Sequence, residues 1–287
     1  LTRGIVRRFI AGVSVKSAMA AALEVRKKGF RVSLDCLGEH VRSEEEADAA
    51  AREYLDLLQA IADSGECFGR APENINISIK LSQLGLNLNA GHCVRRLETI
   101  LLKAAECGNF VRIDMEESAM VDATLQALCA VWPKHKNVGI VLQSMLKRTP
   151  QDLETAIRLG VRVRLVKGAY LEESAVAHQE KAEVDKAYLK LGKQLLKEGC
   201  FPAFGTHDGA LADQLAAFAA RHGIGKGRFE FQMLYGIHRK LQERLLKEGY
   251  IVRIYIPYGK SWYPYFSRRL AERPANLLFF IRSLFSK

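Results

Sequence analysis

Short runs dense in Val, Ile, Leu and Phe recur eight times along this chain, with stretches of helical periodicity between them. They are Arg31–Leu37, Ile75–Leu81, Phe110–Met115, Val138–Gln143, Val161–Lys167, Phe201–Thr206, Phe229–Leu234 and Ile251–Pro257. Apolar runs of this length suit strands covered on both faces. Between them, apolar positions fall three and four apart in Ser43–Ser64, Cys93–Cys107, Glu172–Glu198 and Ile237–Glu248, which predicts amphipathic helices. A further helix, about Ser14–Lys28, precedes the first strand. Gly29, Gly108, Gly160, Gly199 and Gly249 each sit between a helical stretch and a strand, where a glycine commonly ends a helix.

Eight strand-then-helix units predict an α/β fold, a (β/α)8 TIM-type barrel with an extra N-terminal helix and a C-terminal helix covering the mouth. A doubly wound open sheet is the alternative. It usually has fewer strands and a Gly-rich phosphate loop after the first, and neither GxGxxG nor GxxxxGK[ST] occurs here. No Pro/Ser-rich linker divides residues 1–287, so one domain is expected.

The net charge of +11 narrows the partners little. It suits nucleic acid, acidic lipid or a phosphate-bearing cofactor, and solubility alone explains it equally well. No run approaches the length of a membrane span and no signal peptide is visible. Cys36, Cys67, Cys93, Cys107, Cys129 and Cys200 are scattered, without a CxxC or histidine at metal spacing. They predict a reducing compartment, no disulfide and no metal.

In such barrels the reacting groups sit at the C-terminal strand ends, and polar residues gather there. Strand one runs into Asp35 and Glu39, strand two carries Lys80, strand three Asp114 and Glu116, and strand four Gln143. Strand five supplies Arg164 and Lys167, strand six Thr206, His207 and Asp208, strand seven Gln232 and strand eight Tyr255. Lys80 lies inside an apolar strand, so it needs a partner, and Asp114 is the natural one. A purely architectural buried pair is the alternative, since such pairs also occur away from active sites. Alternation in strand five sets Val161, Val163 and Leu165 outward, which turns arginines into the barrel. Thr206-His207-Asp208, just before a helix, reads as a turn able to hold phosphate. His207 alone would be an ordinary satisfied histidine.

The segment from Tyr255 to Pro274 reads as strand end, turn and short helix, with Pro264 near the helix start and Pro274 ending it. Tyr265, Arg268, Arg269 and Glu272 fall at i, i+3, i+4 and i+7, on one helical face. Two guanidiniums beside a phenol make a socket for a small carboxylate. The alternatives are a solvated face for the arginines and simple helix support by Glu272.

Taken in order, Leu37-Gly-Glu39, Ile79-Lys-Leu-Ser-Gln-Leu-Gly85, Ile113-Asp-Met-Glu116 and Arg164-Leu-Val-Lys-Gly-Ala-Tyr170 resemble proline dehydrogenase. So do Gly205-Thr-His207, Glu230-Phe-Gln-Met-Leu-Tyr-Gly236 and the Tyr255-to-Asn276 stretch. This flavin-dependent barrel enzyme also occurs as a module of the bifunctional proline-utilisation A proteins. The resemblance implies FAD and the oxidation of L-proline to Δ1-pyrroline-5-carboxylate. It implies that Arg268 and Arg269 hold the substrate carboxylate with Lys80 assisting, that Asp114 and Tyr255 position it, and that Tyr170 and Tyr265 pack on the ring. Glu39 would pair with Arg268, and Arg164 would lie near the flavin N5. Gln143, Val166, Lys167, Gly168, Ala169, Thr206 and His207 would touch the flavin or its phosphates, with Gln232 on the same cofactor side. The aldehyde dehydrogenase module of the bifunctional relatives is absent, so a separate pyrroline-5-carboxylate dehydrogenase is expected downstream. Electrons would pass to a membrane quinone, which implies a cytoplasmic protein visiting the inner membrane face. Proline is favoured over hydroxyproline because Tyr255 would crowd a hydroxyl. Two rivals remain at this stage. One is a Schiff-base aldolase using Lys80 or Lys167. The other is a basic nucleic-acid scaffold, for which no binding motif is present.

Overall fold

The computed structural model describes residues 8–65, 74–263 and 265. Eight parallel strands close into a barrel in chain order. They are β1 (Arg31–Cys36), β2 (Ile75–Ile79), β3 (Val111–Ile113), β4 (Val138–Gln143), β5 (Arg162–Val166), β6 (Cys200–Gly205), β7 (Glu230–Leu234) and β8 (Ile251–Tyr258). Each lies within a residue or two of its sequence-predicted run. β8 returns to β1 and pairs from Arg31↔Arg253 to Cys36↔Tyr258.

Eight α-helices lie wholly within the described residues. They are α1 (Val15–Lys27), α2 (Glu44–Asp63), α3 (Ala90–Glu106), α4 (Val121–Val131), α5 (Thr149–Leu159), α6 (Lys181–Glu198), α7 (Gly209–Arg221) and α8 (Arg239–Lys247). α1 precedes the first strand, as predicted, and packs across β1 and β8. Local chemistry sets the helix ends. Ser14 and Ser17 form a reciprocal cap on α1. Ser43 caps α2, whose first turn carries Glu44, Glu45 and Glu46 at the positive end of the helix dipole. Gly160 takes the left-handed conformation that ends α5.

Two sequence expectations fail here. The helix expected over Glu172–Glu198 starts only at Lys181. The residues before it form a loop along the mouth, held when Glu172 accepts hydrogen bonds from the Ser118 N–H (2.7 Å) and Ser118 Oγ (2.5 Å). These contacts come from a distant part of the chain and leave no trace in local periodicity. Gly199 is not a left-handed stop, since its backbone is extended at φ −81°. It is glycine because a Cβ would stand 2.7 Å from the Leu195 carbonyl. The positive φ falls instead on Phe201, at 41°. There the β5–β6 register shifts between Arg162↔Cys200 and Arg164↔Ala203, so the bulge uses Phe201 and Pro202. A proline, lacking an N–H, is tolerated at such a bulge.

The strands alternate. Val32, Leu34, Ile77, Ile79, Val163, Leu165, Phe231, Val252 and Ile254 are buried among the apolar core residues. The residues between them fill the lumen, and they are polar. Ser33 and Ser78 share a hydrogen bond of 3.0 Å. Arg253 Nε donates to Glu230 at 2.9 Å, and its Nη1 donates to the Val32 carbonyl at 2.8 Å. Arg112 donates to the Ile140 carbonyl at 3.2 Å and lies over the Phe110 ring. Gly139 leaves room for it, since a Cβ there would be 2.6 Å from Arg112 Nη1 and 2.5 Å from the Arg162 carbonyl.

Burial opposes the Glu230 charge, but Arg253 outweighs it and draws the carboxyl down from 4.5 to about 2. A lowered carboxyl stabilises the fold above its ordinary value and loses that contribution as pH falls through the folded one. Resistance to urea unfolding should therefore fall progressively between pH 4.5 and about 2. In Glu230→Leu/Arg253→Met this part of the acid dependence should vanish. If the pH profile of the double variant superimposed on that of the parent, Glu230 would not be its source.

Candidate active site

A cavity of about 670 Å³ opens at the C-terminal ends of the strands. Its floor is an ion cluster contributed by five strands or the loops directly after them. Lys80 follows β2 and is buried at 6% exposure. Its Nζ donates to Asp35 Oδ1 at 2.9 Å and to Asp114 Oδ2 at 3.4 Å, and reaches Tyr255 Oη at 3.5 Å. The predicted Lys80–Asp114 pair is present, yet Asp35, not assigned to the site from sequence, is the nearer acid. Tyr255 Oη donates to Asp114 Oδ2 at 2.7 Å. Arg164 Nη2 donates to Asp114 Oδ1, while Nη1 donates to Gln232 Oε1 at 3.0 Å and to Ser78 at 3.3 Å. The arginine thus points into the barrel, as strand alternation predicted.

The electrostatics follow from crowding charges in a dry place. Burial works against ionised Asp114, but Arg164 and Lys80 outweigh it and hold the carboxyl below its ordinary range. Burial likewise opposes the Lys80 charge, but Asp35 and Asp114 overcome it and raise the ammonium above its ordinary range. Asp35 is different. Burial pushes it up to about 6 despite Lys80, and its Oδ2 has no hydrogen-bond partner among the described residues. Tyr255 is raised well above 10 by burial and by Asp114, so it is a neutral donor. A Schiff-base lysine requires a depressed pKa. Lys80 is displaced in the other direction.

The cavity wall holds every residue that the family resemblance assigned to a cofactor: Gln143, Arg164, Val166, Lys167, Gly168, Ala169, Thr206, His207 and Gln232. Gln143 is fixed when its Nε2 donates to the Glu116 carbonyl at 2.9 Å. Glu116 accepts from the Ser82 N–H (3.0 Å) and from Ser82 Oγ. Gly168 has φ 121°, which strains any other residue, and a Cβ there would also displace the Met145 thioether. His207 Nε2 accepts from the Leu234 N–H at 2.9 Å, which puts the proton of the neutral ring on Nδ1. At the predicted phosphate turn, Asp208 caps α7 and its own carboxylate accepts from the Ala210 and Leu211 N–H groups. The cations there are side chains. Lys167 lies 2.5 Å from Asp185 and 3.5 Å from Asp208, with Lys181 beside them.

Tyr170 and Tyr265 also line the cavity, with Tyr265 6% exposed and packed on Ile10 and Leu37. Glu39 is half-buried just after β1 and does not line the cavity. Arg268, Arg269 and Glu272, and hence the expected Glu39–Arg268 pair and most of the covering helix, lie outside the described residues. Sequence reasoning missed Met115, Val141, Lys181, Met233, Leu234 and His238 as wall residues. Met115, Met233 and Leu234 lay inside the motifs that carry the family resemblance, and Lys181 gave a signal as a lysine four residues before the acid Asp185, about one helical turn. His40, Glu116 and Glu117 lie together at ligand-like spacing. The Glu116 oxygens are engaged by Ser82, and His40 lies 3.1 Å from Glu117.

A closed eight-stranded parallel barrel with convergent charged groups at its C-terminal mouth defines a (β/α)8-barrel enzyme site. The chain belongs to the proline dehydrogenase family, whose profile matches residues 18–282. It is 40% identical over 282 residues to "Proline dehydrogenase" of Deinococcus radiodurans, covering 96% of this chain and 89% of that protein. It is 37% identical over 280 residues to "Proline dehydrogenase 2" of Bacillus subtilis, covering 98% and 90%. A solved structure of proline utilization A from Bdellovibrio bacteriovorus, inactivated by N-propargylglycine, superposes with a TM-score of 0.85 at 27% identity. That match covers 93% of this chain and 32% of the larger protein.

Proposed function

We propose that the protein oxidises L-proline to Δ1-pyrroline-5-carboxylate, with FAD as hydride acceptor and a quinone as the final electron acceptor. The observation that carries this reading is the Lys80–Asp114–Arg164–Tyr255 cluster lying against the cavity that all nine expected cofactor residues line. The cavity fits such a group. Val141, Val166, Met233 and Leu234 offer apolar contact for a flat ring, Gln143, Arg164 and Gln232 offer polar edges, and Lys167 and Lys181 supply cations on the phosphate side. Held there, FAD would supply the hydride acceptor for oxidation at the ring carbon next to the proline nitrogen.

The chain's own residues bind and orient. Lys80, kept charged, joins Arg268 and Arg269 on the substrate carboxylate. Tyr255, itself anchored on Asp114, sets the ring in place, and Tyr170 and Tyr265 pack on it. Arg164 presents a fixed cation that stabilises negative charge developing on the cofactor side. The cationic surroundings lower the pKa of the substrate amine and favour the neutral form that must react. On this reading Glu39 would pair with Arg268, and Glu272 would support the segment that carries the arginines. The product passes to a pyrroline-5-carboxylate dehydrogenase activity, so the reaction is the first step of proline catabolism. The basic charge supports a cytoplasmic protein that touches an anionic membrane face. No helix among the described residues is long and apolar enough to cross a membrane.

The test is an absorption spectrum of the purified protein, followed by anaerobic L-proline. A flavin band that bleaches on addition supports the reading. A flavin band indifferent to proline overturns the substrate, and a protein that takes up no flavin overturns the cofactor. Borohydride trapping of a carbonyl substrate on lysine would revive the aldolase alternative.

A further inference from the structure

Gln232 lies between two charged groups of opposite kind. Arg164 Nη1 donates to its Oε1 at 3.0 Å, and its Nε2 donates to Glu230 Oε1 at 2.5 Å. A guanidinium has only donors, and an ionised carboxylate has only acceptors. Both neighbours therefore demand the same orientation of the amide. Glu230 lies two residues earlier on β7, deeper in the lumen, at 1% exposure, and it is held by Arg253 at 0% exposure. Arg253 is fixed to the wall through the Val32 carbonyl. The chain Val32–Arg253–Glu230–Gln232–Arg164 thus runs from the barrel floor to the cavity without a gap. Only Arg164 and Gln232 of these five line the cavity.

We infer that Glu230 and Arg253 are positioning residues for the reaction: they anchor Gln232, and through it seat the Arg164 guanidinium at the cavity. Asp114 and Ser78 hold the same guanidinium on its other sides. Glu230 therefore supplies one of several restraints, and its loss displaces the cation rather than removing it. The inference rests on the function proposed above only in its kinetic and redox consequences.

Glu230→Gln alone leaves Arg253 buried and without its counter-ion, which risks unfolding. The test variant is Glu230→Leu/Arg253→Met, because replacing a buried ion pair with apolar side chains of similar volume is often neutral for stability. Three readouts apply. In unliganded protein, the Gln232 side-chain amide, assigned by its loss in Gln232→Leu, should exchange slowly with solvent in the parent and faster in the double variant. In flavin-loaded protein, kcat for proline should fall about three- to tenfold with KM little changed, as expected for one hydrogen-bonded restraint. The flavin midpoint potential should become more negative, because a displaced Arg164 stabilises the reduced form less. Arg253→Lys keeps a cation on Glu230 and should retain the parent potential even if it unfolds more easily.

A folded double variant with unchanged amide exchange, potential and kcat would make the chain purely architectural and overturn the inference. If the parent itself bound no flavin or ignored proline, the proposed function would fail. The amide measurement would still decide whether Glu230 anchors Gln232.

Discussion

Asp114→Ala should unfold more easily than the parent by about 3–5 kcal/mol in urea and lower kcat/KM for proline on the order of 100-fold. Asp114 is the acceptor common to three groups. Arg164 donates to one oxygen, and Lys80 and Tyr255 share the other. Alanine removes all three contacts and leaves two buried cations with one carboxylate, Asp35, between them. That carboxylate compensates only in part: losing Asp114 removes one of the charges that raise it, but its hydrogen bond goes to Lys80. The loss of activity should exceed what unfolding explains, because Tyr255 loses its acceptor and Arg164 one of its three supports. Asp114→Asn separates the terms. It keeps two polar atoms in place, so much of the stability loss should be recovered while turnover stays low. Equal turnover in Asp114→Asn and the parent would show that the negative charge is dispensable.

Arg269→Met, and separately Arg268→Met, should each lower kcat/KM for proline by about 10- to 100-fold or more while leaving flavin content unchanged. A charge-assisted hydrogen bond contributes about 1.5–3 kcal/mol, and about 1.4 kcal/mol is tenfold. The argument begins from sequence: helical spacing sets both arginines on the face that starts at Tyr265. Tyr265 lines the cavity and is buried against Ile10 and Leu37, which fixes where that face begins. Lys80 remains in both variants, so activity should fall without disappearing. Steady-state kinetics and the flavin absorbance of the purified variants check this. Unchanged turnover in both would remove the carboxylate socket.

The barrel was legible because its outer face is continuous apolar wall, and that signal is local to each strand. What faces inward was harder to read. Lys80 announced itself as a charge inside an apolar run, and Asp114 was correctly chosen as a partner. Asp35 is closer, but its role depends on the β1–β2 register, in which Asp35 sits opposite Ser78, two residues before Lys80. Register between strands is not written in either strand alone. The same limit explains the loop before α6. Its spacing reads as helix, but Glu172 is engaged by Ser118 and Ala177 bridges Leu146, contacts made across the mouth. Gly199 carried the right residue for the wrong reason, because crowding by a carbonyl and a left-handed turn both select glycine. On the cofactor side, every residue taken from the family resemblance lines the cavity, whereas Met115, Met233 and Leu234 sat inside the family motifs without a role and Val141 reads as core.

The seam between β1 and β8 has a consequence for biosynthesis. α1 rests on both of these strands, and β8 is the last of the eight to be translated. On the ribosome, the first helix and strand therefore emerge long before their shared neighbour exists. The lumen arginines and acids must stay hydrated through that interval, and they lose water together when the final strand docks.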